Sequence, residues 1–307
     1  VNNTGSTFTT ATNYAVTLSD TSASAANLNT INADTTGLVT ATNVTTISSS
    51  TFADVNTLIS NRGISGNAIN IDNDYNVTLS DVSISAANIK VVNNDTSGTI
   101  NISAATIITS STIADVLEIV QNTGSVFTTA TNYAVTLSDA TISAANVKLI
   151  NADNGTGTID ISAATTITSS TIADVLEIVN NTGSTFTTAT NYAVTLSDSG
   201  TVNAANILAI DNDTTGIVTI NNATAISGTI DNLNAIYNST GISGLEDENI
   251  SVTNTGTINA TQVNDLLGET SGTITFVGSG NLAITMTSGE TLDLSGVTNS
   301  LSGTLTI

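Results

Sequence analysis

VNNTGSTFTTATNYAVTLSD (residues 1–20) recurs unchanged at residues 179–198, and again at residues 120–139 with only Gln121 and Val126 different. Its Tyr-x-Val-Thr-Leu-Ser-Asp core stands at Tyr14, Tyr75, Tyr133 and Tyr192, spaced 61, 58 and 59 residues apart. Self-similarity at such a period is the signature of a repeat architecture. Glycines subdivide it unequally: Gly98 to Gly124 and Gly157 to Gly183 are each 26 residues, while Gly124 to Gly157 and Gly183 to Gly216 are each 33. With Gly5, Gly37, Gly63, Gly241 and Gly272 these marks delimit about nine units.

Each unit reads as strand, strand, short helix. Gly98-Thr-Ile-Asn-Ile-Ser alternates apolar and polar residues, the pattern of a strand with one buried face. Its inward columns are Val39, Ile100, Ile159, Val218 and Ala41, Ile102, Ile161, Ile220, and a second strand supplies Ile47, Ile108, Ile167 and Ile226. Thr51/Asp54, Thr112/Asp115 and Thr171/Asp174 then place a hydroxyl at the helix N-cap and a carboxylate near the positive dipole end. The helix over residues 113–120 is expected to bury Val116, Leu117 and Val120, with Gly124 taking the left-handed conformation beyond it. In the longer units Ser85, Ser143 and Asn203 are the caps, and Leu28/Ile31, Ile89/Val92, Val147/Ile150 and Ile207/Ile210 face inward.

Two-turn helices and single strand pairs are unstable alone in water. Stacking unit on unit removes both problems, because each strand pairs with its equivalents in neighbouring units. The expected fold is a repeat β-solenoid of about nine coils with parallel strands, 26 and 33 residues alternating. At roughly 4.8 Å per coil, nine coils make a rod of roughly 45 Å. Residues 1–271 form this solenoid and residues 272–307 a helix-poor continuation of it. Val1-Asn-Asn-Thr-Gly5 matches the tail of the helix that precedes Gly183, and the last residues read as strand without a polar cap. Both features suit a fragment of a longer array, or a subunit that stacks end to end.

Composition narrows the function. There are 25 acidic residues against Arg62, Lys90 and Lys148, a formal charge of −22, and no Pro, Cys, His or Trp. Such a surface repels nucleic acid and anionic membrane, since phosphate binding needs Lys and Arg to displace counterions. No run of 18 apolar residues occurs, so no membrane insertion is expected. Catalysis is not expected either: there is no histidine for general-base work, no nucleophile has a partner base, and Arg62 reads as alone in a turn.

The acids fall in columns. Asp20, Asp81, Asp139 and Asp198 end a strand, and Asp54, Asp115 and Asp174 occupy the capping position. Asp34, Asp95, Asp153, Asp211 and Asp213 fall in the loop between helix and next strand. Oxygen-rich loops of this kind ligate calcium. Turn chemistry is the alternative and the favoured reading, because Asp bonds its own backbone and the glycine-rich nonapeptide of calcium β-rolls is absent. The aromatic columns Tyr14, Tyr75, Tyr133, Tyr192 and Phe8, Phe127, Phe186 are read as packing rather than as sugar-stacking platforms.

Repeats that join Val-Thr-Leu-Ser-Asp strands to Ser-Ala-Ala-Asn-Val helices resemble those of giant cell-surface proteins of marine bacteria, particularly cyanobacteria, over about residues 1–271. The resemblance implies an extracellular or cell-surface location and a role in surface layers, filaments, adhesion or motility. The expected function is therefore structural: a filament, sheath, surface-layer or stalk segment whose partner is itself. An adhesin-type module gripping glycan or a neighbouring cell is the second reading.

Overall fold

The computed structural model describes residues 9–63 and 68–307, so the expectations for Val1–Gly5 and Phe8 lie outside the described residues. Parallel strands alternate with nine helices among the described residues. These are α1 (Ala25–Asp34), α2 (Phe52–Ser60), α3 (Ala86–Asp95), α4 (Ile113–Val120), α5 (Ala144–Asp153), α6 (Ile172–Val179), α7 (Ala204–Asp211), α8 (Ile230–Asn238) and α9 (Ala260–Leu267).

The chain divides into two units. The first (Val1–Asp139, Leu149–Ile161, Gly183–Thr185) contains a sheet of Val16–Thr17, Val39–Thr40 and Ile69–Asn70. A second sheet runs Ser22–Ser24, Thr46–Ser50, Asn76–Leu79, Ile100–Asn101, Phe127–Thr128. A third contains Ser83–Ser85, Ile107–Ser111, Ala134–Leu137 and Thr158–Asp160. The second unit (Ala140–Lys148, Ser162–Thr182, Phe186–Ile307) has a sheet of Thr141–Ile142, Thr166–Ser170, Ala193–Leu196, Val218–Ile220 and Ile242–Ser243. Beside it run Gly200–Asn203, Ala223–Gly228, Asn249–Val252, Ile274–Gly278 and Val297–Leu301, then Gly256–Asn259, Leu282–Thr285 and Leu305–Thr306.

Register follows the apolar columns. Val77 lies between Ile47 and Ile100, and Ile250 between Ile226 and Ile274. All six are buried, so each sheet turns an aliphatic ladder inward and leaves Thr, Ser and Asn outward, as a period of two requires.

The order strand, strand, helix holds before α2, α4, α6 and α8, but three strands precede α3, α5, α7 and α9. The extra strands are Ser83–Ser85, Thr141–Ile142, Gly200–Asn203 and Gly256–Asn259, and each begins a new sheet. Their single inward residues (Ile84, Ile142, Val202 and Ile258) are buried. One apolar residue beside a capping Ser or Asn is too short a pattern to announce a strand; pairing with the following segment creates it.

The starts of α2, α3, α4, α6 and α7 match expectation. Thr51, Thr112 and Thr171 accept the backbone N–H of Asp54, Asp115 and Asp174, and Ser85 and Asn203 also cap. Two details differ. Val116 and Ile119 are the buried pair of α4, three residues apart, rather than Leu117 and Val120. Gly124 has the expected positive φ (90°), but Asn122 (φ 52°), a residue type that tolerates this region, enters it first, after the C-cap Gln121.

A second set of caps comes from the next segment along the chain. The first N–H groups of α2, α4 and α6 (Phe52, Ile113, Ile172) donate at 2.7 Å to Asp81, Asp139 and Asp198. Ile230 donates to Asn254 at 2.6 Å. Ala25, Ala86 and Ala144 donate to the hydroxyls of Ser50, Ser111 and Ser170 at 2.8–2.9 Å. Helix N-termini leave orphan donors that must find partners when buried. Here the N-cap satisfies one and the following segment another.

Candidate functional site

The recurrent tyrosine and the acid that follows it about twenty residues later are one unit. Tyr75 donates its hydroxyl to Asp95 at 2.6 Å, Tyr133 to Asp153 at 2.6 Å and Tyr192 to Asp213 at 2.5 Å, and Tyr14 donates to Asp34. The tyrosine carbonyl is also engaged. Thr96 donates to Tyr75 O at 2.5 Å while accepting Gly98 N at 3.0 Å, and Thr214 and Gly216 repeat this around Tyr192. At Tyr133 the Asn154 amide takes the threonine's place. The ring thus joins the end of one helix to the strand before it, through both its hydroxyl and its main chain.

Tyr75, Tyr133 and Tyr192 are buried, as the packing reading requires, and Phe127 and Phe186 are half-buried. Burial, with the carboxylate beside each hydroxyl, pushes these three phenols well above their ordinary value. They remain protonated donors at any physiological pH, which suits a structural hydrogen bond and gives no base or nucleophile.

The acids proposed for calcium are placed differently from the sequence expectation. Asp34, Asp95, Asp153 and Asp211 are the last residues of α1, α3, α5 and α7, and only Asp213 lies in a loop. Four of them accept a tyrosine hydroxyl, and Asp211 accepts Ser239 Oγ at 2.8 Å. The structure does not bring them together, and no three carboxylates converge among the described residues. A calcium site takes six to eight oxygens, and each of these acids already spends one on a hydroxyl. Melting in calcium and in chelator, at matched ionic strength, is expected to coincide. A rise with calcium following mass action, about 2.7 kcal/mol at one hundred times Kd, would instead assign a metal role.

Each cation is used. Arg62 is not alone in a turn: it pairs with Asp95, donates to Ile71 O at 3.1 Å and lies 6.0 Å from the Tyr75 ring centroid. Lys90 of α3 bridges Asp115 (2.8 Å) and Glu118 (2.6 Å) of α4. Lys148 bridges Asp174 (2.9 Å) and Glu177 (3.4 Å) in the same way. These lysines hold the Asp115 and Asp174 carboxyls below their usual range, and the carboxylates raise the lysines in return.

Replacing Tyr133 by Phe removes one charge-assisted hydrogen bond and should cost about 1.5–3 kcal/mol. Asp153→Asn keeps an acceptor and should cost less. Chemical denaturation of both variants checks the order.

No family model matches the chain, and no curated protein or solved structure is similar to it.

Proposed function

We propose that the chain is a structural repeat segment, a β-solenoid of about nine coils alternating between 26 and 33 residues, that builds a filament, sheath, surface layer or stalk outside the cell. The observation that carries this reading is the set of caps passed from one segment to the one before it. A segment so built is incomplete until its neighbour is in place, which is the physics of an array and not of a site. The tyrosine–aspartate bonds repeat the same logic, spending the recurrent polar residues on holding segments together. The extracellular or cell-surface location rests on the resemblance of the repeats and on their acidic, Ser/Thr/Asn-rich composition.

The partner in this reading is another copy of the chain. Sedimentation velocity over a concentration series should show association. A single monomeric boundary at high concentration would contradict self-assembly.

A further inference from the structure

Residues 244–249, Gly-Leu-Glu-Asp-Glu-Asn, are the clearest break in the repeat, and they put a carboxylate where the preceding repeats carry tyrosine. Glu248 occupies that place by its main chain: Thr270 donates to Glu248 O at 2.8 Å and accepts Gly272 N at 3.0 Å, as Thr96 and Gly98 do around Tyr75. Its side chain is buried with it, the residue being 2% exposed. Glu248 Oε2 accepts Glu246 N at 3.0 Å and the Tyr237 hydroxyl of α8 at 3.3 Å.

The charges around it are of one sign. Glu246 and Asp247 lie on its own loop, Glu269 follows α9, and residues 186–307 contain no Lys or Arg. The one cation of this unit, Lys148, is engaged with Asp174 and Glu177. Beside the segment opens a cavity of about 480 Å³ lined by Asn221, Gly244, Glu246, Asp247 and Ser271. A buried carboxylate without a cation is costly when ionised, and its two preceding neighbours, Glu246 and Asp247, line this open cavity.

We propose that Glu248 is an acid-operated latch: protonated, it stays in the tyrosine's place and holds residues 244–249 against α8, and ionised, it moves to the open cavity and releases them. Burial pushes the Glu248 carboxyl above its usual value, outweighing the backbone N–H groups and the Tyr237 hydroxyl that favour the ionised form, and Asp247 adds to the rise. Burial and Glu248 also raise the Tyr237 phenol, which therefore remains a donor throughout. A carboxyl raised on folding stabilises fully below its unfolded value, and that stabilisation is lost as pH rises through the folded value. Asp115 and Asp174 act in the opposite sense: their lowered values give stability that is present at neutral pH and lost in acid. A segment that tightens on acidification is thus distinguishable from the rest of the chain.

The test is NMR on the full chain, following Glu248 Cδ and the exchange of the Glu246 and Ile250 amides from about pH 3 to about pH 8, corrected for intrinsic exchange. The carboxyl should titrate above the ordinary glutamate value of about 4.3, and amide protection should fall roughly tenfold across the same midpoint. Glu248→Gln should abolish that step. A midpoint at or below the ordinary value, or an unchanged step in Glu248→Gln, would overturn the proposal. Should the variant not fold, the parent protein decides: coincident midpoints support the latch and separate midpoints overturn it.

Discussion

Ile161→Asp is expected to destabilise the first unit by on the order of 3–5 kcal/mol, a large share of the stability of any single domain. Ile161 is 2% exposed and lies one residue beyond the Thr136/Asp160 pair in a parallel sheet. The substitution deletes an aliphatic side chain from the inward ladder and leaves a carboxylate in its place without a partner. The loss should appear as a lower midpoint in chemical denaturation, read on the full chain. A denaturation curve that matches the parent would show that Ile161 does not face the core.

Gly98→Ala should also be severe, for a different reason. A Cβ built at Gly98 would meet the backbone of the preceding segment: Tyr75 O, Tyr75 C at 2.5 Å and Asp74 O at 2.7 Å. No side chain can rotate away, so two main chains must separate, breaking the Thr96–Tyr75 bond between them. Overpacking of this kind costs about 1–3 kcal/mol or more. Gly268→Ala is the control, because its Cβ would find only Asp265 O at 3.4 Å. At that position the variant should be neutral or gain about 0.4–1 kcal/mol from reduced freedom of the unfolded chain. Equal melting temperatures for the two variants would refute close approach as the reason for glycine at position 98.

The contrast between these sites marks what could be read in advance. Ile161 was legible because burial on a strand leaves a period-two pattern that stacking repeats in columns, and the N-caps were legible because a cap and its target are three residues apart. Gly98 was visible as a mark of the repeat, but its cause was not, since the backbone it approaches lies more than twenty residues earlier. The same distance hid the partners of Asp95, Asp139 and Arg62. An acid column in sequence looks alike whether it binds metal, forms turns or accepts a tyrosine hydroxyl. The regular spacing from Tyr75 to Asp95 and from Tyr133 to Asp153 was the available signal, and only pairing of segments turns that spacing into contact.

Fold and site rest on one claim: each segment is closed by the next. Asp139 tests it most directly, because its carboxylate caps the N–H of Ile113, 26 residues upstream, at 2.7 Å. Asp139→Ala should cost about 0.5–2 kcal/mol and selectively unprotect the first turn of α4. The measurement is residue-resolved amide exchange of the full chain, comparing Ile113 with Ile172, whose own cap is Asp198. The account predicts a loss of protection at Ile113 while Ile172 keeps its parent rate. Unchanged exchange at Ile113, with effects confined to the neighbours of residue 139, would contradict it.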